Sequence, residues 1–245
     1  MYETIAAGLG VDGVMRPGGM ALTRTALSRC SFPTGARVLD IGCGVGGTVA
    51  YLIGHHRLRA LGIDSSLTTL RLAHARDATL PLIAANGTVL PFGDAGWDGV
   101  FAECSLSLVK DAAGMLSECW RVLRTGGRLV LSDVYLKEER ARDVVRRLPS
   151  CCCLAEAMTR KELLETLAVC GFQTIHWEDH SPALKTFAAQ LIFSHGFSIE
   201  ELWWQAARNE AETTTLLEFK KAVVRARPGF FVLVAQKPER RRMLW

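Results

Sequence analysis

Asp40, Asp64 and the glycines between them are the residues of this chain best suited to hold a ligand. Val38-Leu39-Asp40-Ile41-Gly42-Cys43-Gly44-Val45-Gly46-Gly47 reads as an apolar strand, a glycine-crowded turn and the start of a helix, and a second apolar run, Ala60 to Ile63, ends on Asp64. Such a turn brings bare backbone and a positive helix N-terminus against a ligand, and an acid about twenty residues on can hold ribose hydroxyls. These residue types call for an adenosine-type cofactor. Gly42, Gly44 and Gly47 also satisfy the G-x-G-x-x-G spacing of dinucleotide sites, so the glycines alone leave the cofactor open.

The elements that must carry these residues follow from periodicity. Helices are predicted at 20–31, 46–54, 66–77, 111–123 and 159–170, and strands at 37–41, 59–63, 81–84, 97–103, 128–133, 172–177 and 230–236. Strands separated by helices imply a doubly wound, mostly parallel α/β sheet. The chain divides into an N-terminal helical cap (1–34), a cofactor-binding core (35–180), a helical insertion (181–225) and a last strand with its tail (226–245), all as one domain. In the insertion, Leu184, Phe187, Ala188, Leu191 and Ile192 recur at helical spacing and predict an amphipathic helix whose stripe is core or a dimer face.

At 245 residues with 49% hydrophobic and 22% charged side chains, the chain can build a full core. No apolar run approaches the roughly eighteen residues of a membrane span, and no secretory leader is evident, so the expected setting is cytoplasmic. A net charge of +4 with scattered basic residues argues against nucleic-acid binding. The expected partner is a small-molecule substrate, with the protein a monomer or homodimer. The eight cysteines include the run Cys151-Cys152-Cys153 and form no C-x-x-C pair, which points to reduced thiols and to no metal site.

Four segments together resemble class I S-adenosylmethionine-dependent methyltransferases, notably the small-molecule branch that includes the quinone and arsenite enzymes. They are Asp40 with the glycine turn, Asp64, Asn86-Gly87-Thr88-Val89-Leu90-Pro91-Phe92-Gly93-Asp94, and Trp97-Asp98-Gly99-Val100. The likeness is close over about 35–180 and looser elsewhere. It implies a Rossmann-like, seven-stranded sheet whose last strand is antiparallel, S-adenosyl-L-methionine as cofactor, and S-adenosyl-L-homocysteine as product. On this resemblance Asp40, Gly42, Cys43, Gly44, Gly46, Asp64, Ser65, Asn86, Gly87 and Glu103 are the cofactor contacts. Asp64 would accept both ribose hydroxyls, and Asn86, where many relatives have aspartate, would offer its amide carbonyl to the adenine amino group.

The methyl acceptor is far less marked. Arg16, in Arg16-Pro17-Gly18-Gly19-Met20, could meet a substrate carboxylate, and Cys104 ends the strand toward which the methyl group should point. Cys151, Cys152 and Cys153 lead into a helix much as an arsenite methyltransferase segment does, with Cys153 matching a ligand cysteine, although the further cysteines of that family are missing. A metalloid or thiol methyltransferase using that loop is therefore one alternative to methyl transfer onto another small molecule, and a non-catalytic cofactor-binding protein is another. Methyl transfer needs alignment and water exclusion more than a fixed triad, so no catalytic residue is singled out.

Overall fold

The computed structural model describes Val14 and residues 16–145, 153–207 and 215–239. Its elements are α1 (Gly19–Ser28), β1 (Arg37–Ile41), α2 (Gly47–His56), β2 (Arg59–Asp64), α3 (Leu67–Arg76), β3 (Leu82–Ala84), β4 (Trp97–Glu103), α4 (Ala112–Val122), β5 (Leu123–Tyr135), the single turn α5 (Arg142–Val145), α6 (Arg160–Val169), β6 (Gln173–Asp179), α7 (Ser181–His195), α8 (Ile199–Ala207), α9 (Leu216–Ala226) and β7 (Gly229–Gln236). The seven strands form one sheet in the order β3-β2-β1-β4-β5-β7-β6. All neighbours are parallel except β7, which runs antiparallel to both β5 and β6.

Alternation along the strands sorts side chains into two cores. Val38, Phe101, Val130, Phe230 and Val232 face the layer built by α1, α2 and the helices of the insertion, whereas Leu39, Val100, Leu131 and Phe231 face α4 and α6. The strands carry apolar residues on both faces because helices cover both.

Where the sheet departs from the sequence expectation, the reasons are local. β5 begins at Leu123 rather than 128, because Leu123 already pairs with Trp97 across a bulge before Gly99 takes up Arg128. The turn Thr125-Gly126-Gly127 thus lies inside the strand, with Gly126 at φ 80° donating its amide to Lys237 O. Among its described residues the insertion holds three helices. In α7, Leu184 and Leu191 are buried as the stripe requires, but Ile192 is 53% exposed and Phe193 90% exposed. The amphipathic pattern is clearer in α9, opened by a Thr215–Glu218 capping box and burying Phe219, Val223 and Ala226. Among the described residues, no helix is long and apolar enough to cross a membrane.

Candidate cofactor and acceptor site

Strand order converts scattered sequence positions into a row. Along the carboxyl edge of the sheet come Asn86 just after β3, Asp64 at the end of β2, Asp40 near the end of β1, and Glu103 at the end of β4. Neighbouring strands lie about 5 Å apart, so the row suits an elongated ligand crossing the strand ends.

The turn after β1 is held from below. The amides of Gly42 and Cys43 both donate to Ile63 O, at 2.8 and 2.9 Å, tying the turn to β2. Gly42, Gly44 and Gly46 all have positive φ, and a Cβ on Gly42 would stand 2.6 Å from Ser105 Cβ; side chains are excluded there by both conformation and contact. Over Gly44 a Cβ would meet nothing within 4 Å, so open space adjoins its backbone. Its amide donates to Asp64 Oδ2 at 2.9 Å, while Asp64 Oδ1 accepts from the Ser66 amide at 2.9 Å. Those bonds orient the carboxylate and leave each oxygen a further lone pair. The cap of α3 is Ser66, whose side chain accepts from the Thr69 amide, so Asp64 is not consumed as a helix cap. Ser65 is exposed beside it.

Other sequence-selected residues also make contacts within the fold. The Cys43 thiol lies where a Cβ on Gly62 would be, 2.8 Å away, and burial pushes its pKa up, so it packs against β2 as a neutral group. A Cβ on Gly87 would fall 2.8 Å from Ile41 Cγ2, which makes Gly87 a close backbone approach to β1. Asn86 Oδ1 accepts from both the amide and the hydroxyl of Thr88, each at 3.0 Å. That turn occupies the carbonyl expected to face an adenine amino group, and the group left to offer a ligand is the amide NH2, a donor.

Glu103 and Arg16 meet each other. Arg16 Nη2 lies 2.7 Å from Glu103 Oε2 and bonds to the hydroxyls of Thr23 and Thr48, and those hydroxyls donate in turn to Glu103 Oε1 at 2.9 Å and Oε2 at 3.0 Å. The buried cluster ties α1, the first turn of α2 and the end of β4 together. Asp40 lies on the same face, and among the described residues no hydrogen bond reaches its side chain. Burial, with Glu103 close by, pushes its pKa up to about 8 despite the opposing pull of Arg16.

Beyond β4 the same edge carries a buried acid that sequence reasoning missed. Asp133, buried at the end of β5, accepts from the amide and hydroxyl of Ser107 at 3.0 and 2.6 Å and from the amide of Val134 at 2.8 Å. It thereby holds the 3-10 turn Leu106–Leu108 that follows β4. Burial raises its pKa to about 6 against those hydrogen bonds. The signal was available, since Asp133 ends an apolar strand as Asp40 and Asp64 do. Cys104, between that turn and β4, has φ 54°, and burial holds its pKa well above the ordinary thiol value, which keeps it a neutral thiol. Cys153 packs against the same core as Cys104, and Cys151 and Cys152 lie outside the described residues. Among the described residues, no group of three His, Cys, Asp or Glu side chains is placed to hold a metal ion.

Comparison with known proteins agrees with the fold. A family described as "Methyltransferase domain" matches residues 39–131. An O-methyltransferase of Aspergillus nomiae is 35% identical over 47% of this chain and 54% of its own length, and one of Aspergillus sclerotiorum is 29% identical over 64% and 62%. The chain thus spans little more than half the length of these curated relatives. Among solved structures, Haemonchus contortus phosphoethanolamine N-methyltransferase 2 in complex with S-adenosyl-L-methionine aligns with a TM-score of 0.67 at 21% identity, over 91% of this chain and 54% of that one. The [4+2]-cyclase SpnF aligns equally well, at 0.67 and 23% identity, over 89% and 81%.

Proposed function

We propose that this protein is a class I S-adenosylmethionine-dependent methyltransferase, a reading supported by the methyltransferase-domain match over residues 39–131, and that it transfers a methyl group from S-adenosylmethionine to a hydroxyl oxygen of a small organic molecule. The observation that carries this reading is the row Asn86, Asp64, Asp40 and Glu103 along the strand ends, with open space over Gly44. The oxygen acceptor rests on the O-methyltransferase names of the relatives at 35% and 29% identity. Free thiols at Cys30, Cys43, Cys104, Cys119 and Cys170 support a reducing, cytoplasmic setting.

The chain's own residues divide the work. Asp64, oriented by the Gly44 and Ser66 amides, would hold the ribose; Asn86 and Gly87 would border the adenine; the glycine turn would let the amino-acid portion lie on bare backbone. The bound cofactor supplies a methyl group already activated on a sulfonium. Asp40, once ionised, would favour a cation at that end of the row, where the Glu103 charge is already paired with Arg16. Asp133, through Ser107, fixes the turn beside which the acceptor would sit, and the neutral Cys104 thiol gives that wall an uncharged surface. The proton of the acceptor hydroxyl leaves to solvent or buffer as the carbon–oxygen bond forms and the carbon–sulfur bond breaks.

Two measurements test the reading. Calorimetry should detect binding of S-adenosylmethionine and none of NADH. A panel of phenols, alcohols and carboxylic acids should include compounds that drive S-adenosylhomocysteine formation above the acceptor-free rate. Binding of NADH alone would overturn the cofactor, and turnover confined to amines or arsenite would overturn the oxygen acceptor.

A further inference from the structure

We propose that the outer face of α1, α2 and α3 is a docking surface for a partner protein that presents a cluster of carboxylates. The charges that form it lie outside the row of acids at the strand ends, so the inference stands whatever the methyl acceptor is.

Along the sequence the basic residues look scattered, but the fold gathers an excess on one side. Residues 19 to 76 contain seven arginines, no lysine and two acids, a net charge of +5 against +4 for all 245 residues. The two acids are Asp40 and Asp64, both at the carboxyl edge, so α1, α2 and α3 themselves contain no carboxylate. The three helices cover the same side of the sheet, with Leu22, Val49 and Leu52, and Leu70 entering one core. Arg24 on α1, Arg57 at the end of α2, and Arg71 and Arg76 on α3 are all exposed. Among the described residues, no carboxylate lies within ion-pair distance of any of the four. Elsewhere on the surface arginines are neutralised locally, Arg121 by Glu118 and Asp94, Arg124 by Asp98, and Arg142 by Glu162. A face of like charges without counter-charges repels itself and attracts an acidic surface.

Two observations select a protein as that surface. Arginine is enriched and lysine depleted at protein interfaces, whereas surfaces that neutralise phosphates use both. Here the arginines surround Ile53 and Leu67, which are 37% and 58% exposed, and the outward residues beside them include Ala50, Gly54 and Ala75, small enough for a partner's backbone to come close. The ring between α1 and α2 is also already engaged. Arg24 lies over Tyr51 at 5.4 Å, His55 stacks on it at 4.7 Å, and His56 Nε2 meets its hydroxyl at 3.1 Å. Tyr51 is thus no platform for a nucleic-acid base. The same contacts join α1 to α2 and hold the Arg24 guanidinium in place, and a held guanidinium presents a fork that matches the two oxygens of a carboxylate.

The test uses fluorescein-labelled decaglutamate as a carboxylate cluster, followed by fluorescence anisotropy at low ionic strength, with single-stranded DNA of equal charge and phosphatidylserine-containing vesicles for comparison. Two proteins carry the same change in net charge: Arg24→Glu/Arg71→Glu/Arg76→Glu on the face, and Lys110→Glu/Arg140→Glu/Lys161→Glu on the loops after β4 and β5 and on α6. The wild type should bind decaglutamate, more weakly as salt is added. The face variant should lose affinity by on the order of tenfold or more, and the other by less than about threefold. Should the face variant fold poorly without the contact of Arg24 to Tyr51, Arg71→Gln/Arg76→Gln, compared with Arg140→Gln/Lys161→Gln, decides. Equal losses on and off the face would attribute binding to overall charge and overturn the inference, as would absence of decaglutamate binding by the wild type. A face-dependent preference for the DNA or the vesicles over decaglutamate would assign the face to phosphate groups and overturn it equally.

Discussion

The two halves of the carboxyl edge are built by different means. From β3 to β1 the edge is framed by backbone: the amides of Gly42, Cys43 and Gly44 are fixed by Ile63 O and Asp64. From β4 to β5 it is made of side chains drawn from distant segments, with Arg16, Thr23 and Thr48 gathered on Glu103 and Ser107 gathered on Asp133. A backbone cradle serves a ligand of fixed shape, whereas a side-chain wall can change its acceptor by substitution without disturbing the cradle. Damage to the glycine cradle and to the Asp133–Ser107 end of the wall should therefore separate into loss of cofactor affinity and loss of acceptor geometry or stability.

The largest expected separation comes from Asp133→Ala. Removing the carboxylate leaves the amide and hydroxyl of Ser107 buried without their partner, a loss of about 2–3 kcal/mol. Urea denaturation should show a lower midpoint, with S-adenosylmethionine affinity in the folded protein unchanged. A comparable loss of affinity would mean that the wall and the cradle are one unit. Asp64→Ala should give the converse result, weakening cofactor binding by about 1.5–3 kcal/mol, as for hydrogen bonds to a charged group, with a smaller effect on the denaturation midpoint.

Acidity sharpens the comparison next. Asp40 and Asp133 have folded pKa values raised to about 8 and about 6, above the unfolded carboxyl. The folded state therefore holds the protons more tightly, and the stability they contribute is fully present below about pH 4. It is lost as pH rises, through about 6 for Asp133 and about 8 for Asp40. The thermal midpoint of the ligand-free protein should carry a component that falls across this range, and Asp40→Asn should remove its upper part. Affinity for the cationic cofactor should rise as Asp40 ionises near pH 8, a dependence that Asp133→Asn leaves in place. The smallest effect belongs to Asn86→Asp. The carboxylate can accept the same two bonds from Thr88, so stability should hold within about 0.5 kcal/mol, while loss of the NH2 donor should weaken cofactor binding by about 0.5–1 kcal/mol. Tighter binding would restore the carbonyl as the adenine contact.

The same division explains what could be read from the sequence. β1 and β4 have the bounds their patterns predicted, 37–41 and 97–103, because both are apolar runs with an acid at or next to the last residue, and the glycine turn requires residue types that are visible locally. The start of β5 was not legible, since it depends on Leu123 finding Trp97 across a bulge. Nor was the pairing of Arg16 with Glu103, 87 positions apart in sequence and joined only by the fold. Asn86 was legible as a candidate position but not in its orientation, which Thr88 sets. Ile192 and Phe193 fit no inward face, because α7 meets the sheet over only part of its circumference.

The place of β7 has a consequence for the order of assembly. β6 pairs with β7 alone, and β7 pairs with β5 on its other side, so the strand made last must enter between two made earlier. During synthesis, β1 to β5 can close their mutual contacts as they emerge, but residues 173–179 have no sheet to join until 229–236 arrive, with three helices intervening. Completion of the sheet is thus a non-local step that follows the helices in time, and until it occurs the exposed edge of β5 is the point at which a nascent chain of this protein is most open to pairing with another.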